Sequence, residues 1–228
     1  MIVIENQKLR NVLRYLIPLV LIPVTVWIGA TAFDEKRHLF VSLFVAILTL
    51  CLFISGIERK IVGTRRMVIV AVMIALSIAG RFIPFFKPIT AITMITAMYL
   101  GAESGFTVGA FSALISNFYF GQGPWTPFQM LAFGLIGFIS GLLSKHLRKS
   151  RVFLLLFGAI SGILYSLIMD IWTILWYSQS FDPKVYLGAF ITALPHTILY
   201  TVSNVVFLWL IAKPFGDKLA RVKIKYGV

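Results

Sequence analysis

Few groups in this chain could do covalent chemistry, and they do not cluster. The three histidines, His38, His146 and His196, are scattered, and Cys51 is the single cysteine. A disulfide within the chain and a cysteine-based metal site are therefore both excluded. The sequence has no Gly-Lys pair, and so no phosphate-binding loop, and neither a His-Glu-x-x-His nor a Gly-x-Ser-x-Gly motif. We expect no catalytic residue, no metal ligand set and no cofactor of the chain's own. Energy for any driven work must come from a partner or an ion gradient.

The chemistry on offer is recognition by polar residues set inside apolar stretches. Asp170 lies within Tyr165-Ser-Leu-Ile-Met-Asp170-Ile-Trp172-Thr-Ile-Leu-Trp176-Tyr177. A carboxylate at bilayer depth costs about 2.5–3.5 kcal/mol, so it should face the bundle interior or a wet cavity. Helical spacing puts it on one face with Thr173 and Tyr177. It has two readings, a structural partner for Arg81 or an intramembrane amide, and a ligand contact. His196, Tyr200 and Asn204 fall on one stripe at four-residue spacing, facing either the interior or a ligand. Arg81 ends an apolar run, where it either snorkels to headgroups or lines a cavity mouth.

These residues need elements to hold them, and the composition says what kind. Of 228 residues, 59% are hydrophobic and 13% charged, and mean hydropathy is +0.93. Soluble chains carry about 25% charged residues. So few charges cannot cover a water-soluble surface, whereas a bilayer solvates apolar surface directly. The expectation is an all-α integral membrane protein with about eight spans, near 13–32, 39–57, 67–84, 89–101, 105–120, 128–144, 152–177 and 186–212. The first apolar run exceeds a signal-peptide core in length, and we expect it to stay as a helix.

Lys and Arg distribution sets the orientation. With a cytoplasmic N-terminus, sixteen of the 21 basic residues fall on the inside, including Arg59, Lys60, Arg65 and Arg66. Five fall outside: Lys36, Arg37, Arg81, Lys87 and Lys184. Both termini are then expected in the cytoplasm. The net charge of +13 reflects this topology and not a nucleic-acid partner.

Two patterns carry the most information. Ala71, Ala75 and Ala79 make a smooth helical face on which another helix can approach closely. Gly105/Gly109/Ala113, Gly137/Gly141 and Gly158/Gly162 show similar spacing, for which packing within the chain is the plainer reading. The run Asn117-Phe-Tyr119-Phe-Gly121-Gln122-Gly123-Pro124-Trp125-Thr-Pro127 fixes a sharp non-helical turn flanked by aromatics, with Asn117 and Gln122 as amides.

That run, continued through Gln129-Met and Ala132-Phe-Gly-Leu-Ile-Gly-Phe, resembles the substrate-binding S components of energy-coupling-factor (ECF) vitamin transporters, above all the cobalamin-specific ones of lactobacilli. The Ala71/Ala75/Ala79 face is similar to that family's Ala-x-x-x-Ala docking motif. The likeness covers residues 65–215 or so. It implies a six-helix membrane core at 65–228 with a basic tail; the first two spans, in the segment 1–64, lie outside the family's pattern. It also implies a bacterial plasma-membrane importer subunit working with a transmembrane coupling subunit and two cytoplasmic ATPases. Cobalamin, a large ligand with apolar corrin faces and an amide rim, suits the aromatic and amide composition of the outer loops. The expected ligand contacts are Arg81, Asn117, Tyr119, Gln122, Trp125, Asp170, Trp176, Tyr177, His196 and Tyr200. A histidine ligand to cobalt is possible chemistry, but recognition by shape and amides does not need it. The competing classes are a lipid or isoprenoid enzyme, which needs convergent acids and bases, and an ion-coupled carrier, which needs inverted repeats.

Overall fold

A computed structural model describes residues 6–32, 37–57, 60–178 and 181–227. Lys36 and Arg59, used above for topology, lie outside the described residues, as does the side chain of Lys60.

Among the described residues the chain is helical, with α1 Gln7–Leu16, a π-helical stretch Ile17–Leu21, α2 Ile22–Ala32, α3 His38–Ser55, α4 Lys60–Gly80, α5 Ile89–Leu100, α6 Ala102–Phe120, α7 Thr126–Leu142, α8 Ser144–Lys149, α9 Arg151–Ser178 and α10 Pro183–Tyr226. Asn6 caps α1 through its side chain, accepting from the amides of Lys8 and Leu9. The π-helical stretch has Pro18 within its first turn and Pro23 just beyond it, and a proline removes an i→i−4 bond.

All eight expected spans are helical, but their roles differ. Five of the described helices are long and apolar enough to cross a membrane: Gln7–Ala32, His38–Ser55, Val62–Gly80, Arg151–Tyr177 and Pro183–Tyr226. Ile89–Leu100 and Thr126–Leu142 are apolar but shorter. With 12 residues, α5 reaches only about 18 Å against a hydrocarbon thickness of about 30 Å. The reason is position in the bundle. Every α5 residue except Tyr99 is buried, and α6 is buried from Ala102 to Ala110. Residues walled in by other helices meet no lipid, so α5 can be short and the buried face of α6 can carry Glu103, Thr107, Ser112 and Asn117 in place of apolar residues.

Small residues bring the central helices together. A Cβ added at Gly109 would fall 2.3 Å from the carbonyl oxygen of Phe133, and one at Gly137 would fall 2.4 Å from the backbone of Gly105. Helices α6 and α7 thus touch backbone to backbone. The pair Gly158/Gly162 receives Leu208 and Thr201 of α10 in the same way. Asn204 of α10 donates to the carbonyl of Gly158 at 3.1 Å, which fixes the α9–α10 pair.

The basic C-terminal stretch is not a separate tail. It continues α10, which runs 44 residues through Pro195 and Pro214, or about 66 Å. Gly216 and Leu219 are buried on this extension, which packs it against the bundle. The N-terminal helices also engage the core through charge. Glu103, 5% exposed, meets Arg14 of α1 at 2.6 Å and Arg66 of α4 at 3.5 Å. Arg66 further donates to Ser104 at 2.7 Å and to the carbonyl of Gly56 at 3.0 Å.

Candidate ligand site and docking face

The α4–α5 connection, the α6–α7 turn and the meeting ends of α9 and α10 lie at one end of the bundle. The turn forms where Gly and Pro are concentrated. Helix α6 stops at Gly121, whose φ of 108° suits glycine, and α7 starts with Pro127 in its first turn.

A hydrogen-bond network joins this end. Arg81 donates to the hydroxyl of Ser116 and, at 2.8 Å, to the side-chain oxygen of Asn117. The Asn117 amide donates to Thr126 at 2.9 Å and to Gln129 at 2.8 Å. Gln129 donates to the Tyr165 hydroxyl at 3.2 Å. Tyr165 is stacked between Phe133 at 4.6 Å and Tyr200 at 4.7 Å, and His196 lies 6.0 Å from Tyr200. Gln122 donates to the carbonyl of Leu114 and accepts from Thr126. The polar chain therefore links Arg81 at the end of α4 to α6, the turn, α7 and α9, and ring stacking extends it to Tyr200 of α10.

Aromatic side chains form the rim. Phe82 packs against Tyr119 at 4.8 Å and Phe120 at 5.0 Å. Arg81 and Lys87 lie 4.9 and 5.5 Å from the Phe120 ring, within cation–π range. Tyr119 and Tyr177 are 73% and 78% exposed. A second series runs from Trp125 through Trp172, at 5.8 Å, to Trp176, at 6.4 Å. Burial lowers the pKa of Arg81. The same cause, with the Arg81 charge second, lowers that of Lys87.

The expected contacts thus divide by position. Arg81, Asn117, Gln122 and Tyr200 belong to the network. Trp125 and Trp176 belong to the indole series, Tyr119 packs in the Phe82 and Phe120 rim, and His196 lies beside Tyr200; Tyr119, Tyr177 and His196 are exposed. Asp170 stands apart, because Arg81 pairs with Ser116 and Asn117 instead. Asp170 is 6% exposed, and one carboxylate oxygen has no partner among the described residues. Gln129, Tyr165 and Trp172 escaped sequence reasoning. Gln129 stood inside the conspicuous turn segment, whereas the two aromatics are ordinary in an apolar helix. No group of three or more metal-ligating side chains occurs among the described residues.

On α4, Ala71, Ala75 and Ala79 are all exposed, beside exposed Val68, Val72 and Leu76. The opposite face, with Val70, Met73 and Ser77, is buried in the bundle.

The family model of the ECF-type riboflavin transporter S component matches residues 61–221. The chain belongs to this family. It is a substrate-binding S component of an ECF vitamin transporter, a multi-pass plasma-membrane protein that works with coupling and ATPase subunits. The family is one of transporter subunits and not of enzymes. The match covers α4 through most of α10 and leaves α1 to α3 outside it. No curated protein and no solved structure matches the chain.

Proposed function

We propose that this S component captures cobalamin at the aromatic end and delivers it inward with its coupling and ATPase subunits. The observation that carries the reading is the character of that end. Broad exposed aromatic surface surrounds neutral amides and hydroxyls, with Arg81 and Lys87 the cations that lie against its Phe120 ring. A ligand with wide apolar faces and an amide rim suits such a surface, whereas a small anion would call for converging cations. The basic ends of α4, α8 and α10 then face the cytoplasm with both termini. The ligand is cargo, and the subunit needs no cofactor of its own.

A second reading is riboflavin, favoured by the matching family, which is named for riboflavin transporters. A flavin ring would also stack on the aromatic rim. Calorimetric titration of the purified chain with cyanocobalamin and, separately, riboflavin tests both. Saturable binding of cyanocobalamin near one to one, with no heat from riboflavin, is the expected result. Tight riboflavin binding without cobalamin binding would replace the first reading with the second.

The exposed Ala71/Ala75/Ala79 face is our candidate for the coupling-subunit contact, because close helix approach in lipid depends on small side chains.

A further inference from the structure

The opposite, basic end holds a second cleft. The end of α5, α8, the start of α9 and the Pro214 region of α10 enclose about 320 Å³, with Tyr99, Arg148, Lys149, Arg151, Trp209 and Lys213 in its lining. Asp217 lines it too, so four cations face one carboxylate.

This cleft is built by packing. A Cβ at Gly216 would fall 2.4 Å from the Tyr99 hydroxyl, so the glycine lets that ring lie against α10. Arg148 sits 4.8 Å from the Tyr99 ring. Arg151 sits 5.5 Å from the Trp209 ring and donates to the Trp209 carbonyl at 2.8 Å. Among the described residues, Lys149 and Lys213 have no hydrogen-bond or ion-pair partner. Just beyond the cations the surface turns apolar, with Val152, Leu156 and Trp209 at 68%, 57% and 56% exposure.

Cations gathered at a helix end, beside apolar surface on the same helices, match the two parts of a membrane lipid. We propose that this cleft binds the headgroup of an anionic phospholipid, with its phosphate among Arg148, Lys149 and Lys213 and its acyl chains along α9 and α10. The excess of positive charge selects an anionic over a zwitterionic headgroup. The cleft is formed by α5, α8, α9 and α10, away from the exposed alanine face of α4.

The test is native mass spectrometry of the full chain released from micelles doped with phosphatidylglycerol or phosphatidylcholine, with thermal melting in parallel. We expect one phosphatidylglycerol to be retained and to raise the melting temperature, with phosphatidylcholine doing neither. The double variant Lys149→Gln/Lys213→Gln removes two partnerless cations and should weaken retention by about tenfold or more. Lys145→Gln/Lys218→Gln, with the same charge loss elsewhere, should retain the lipid. Equal retention of both lipids, or no loss in the first variant, would overturn the proposal. So would inorganic phosphate that displaces the lipid and stabilises equally, since the site would then serve free phosphate. Loss of assembly with the ATPase-bearing partners while lipid retention is unchanged would also overturn it and assign the cleft to an acidic protein segment.

Discussion

Asn117 shows how far a single residue can be read from sequence. It was conspicuous as an amide beside a Gly/Pro turn, and in the structure one oxygen and one nitrogen serve Arg81, Thr126 and Gln129 together. Its side chain is 1% exposed, so its influence on a ligand would pass through Arg81, which it holds in place. Asn117→Leu strands three partners, and intramembrane hydrogen bonds average about 0.6 kcal/mol each. We expect a loss of about 2 kcal/mol in stability, seen as a lower melting temperature, together with weaker vitamin binding in calorimetry. Unchanged binding would place Arg81 outside the ligand site. Spacing could not reveal these partners, because Arg81 stands 36 residues away and is brought in by the packing of α4 on α6.

At the scale of elements, one small-residue signal has two fates. Gly105, Gly109 and Gly137 are consumed inside the bundle, where a Cβ would meet backbone. Ala71, Ala75 and Ala79 carry the same four-residue spacing but remain exposed. The two substitutions therefore predict opposite phenotypes. Gly109→Val must push α6 off the Phe133 carbonyl, and overpacking costs about 1–3 kcal/mol or more. Little monodisperse protein should elute in size-exclusion chromatography. Ala75→Trp meets nothing within the chain, so it should fold and bind the vitamin while transport in reconstituted vesicles is abolished. If vitamin binding also fails, the alanine face is not a docking surface. Sequence spacing alone cannot separate these cases, since it reports which residues share a face but not what that face meets.

The whole molecule adds a link that the family match does not cover. Helices α1 to α3 precede the matched region, yet Arg14 and Arg66 meet on the buried Glu103. The Arg14 contact is a charge contact, not an aligned hydrogen bond. Removing one member of a buried ion cluster costs about 3–5 kcal/mol, and the half-exposed Arg14 places this one at the lower end. Glu103→Gln should lower the melting temperature by several degrees. The charge-keeping Glu103→Asp should recover part of the loss. If the cluster only fills space, Gln should behave like Asp.

What the sequence by itself determined is the class of protein and where its turns and polar residues fall. Apolar runs, few charges, basic clusters and the Asn117–Pro127 turn are local quantities, and a bilayer-spanning helix satisfies its own backbone without distant partners. The tertiary structure alone decided which spans form the buried centre, that Arg81 pairs with Asn117 instead of Asp170, that the basic tail continues α10, and which small-residue face stays open. Each of those depends on the surface a helix meets, and neighbours in space come from residues far apart in the chain.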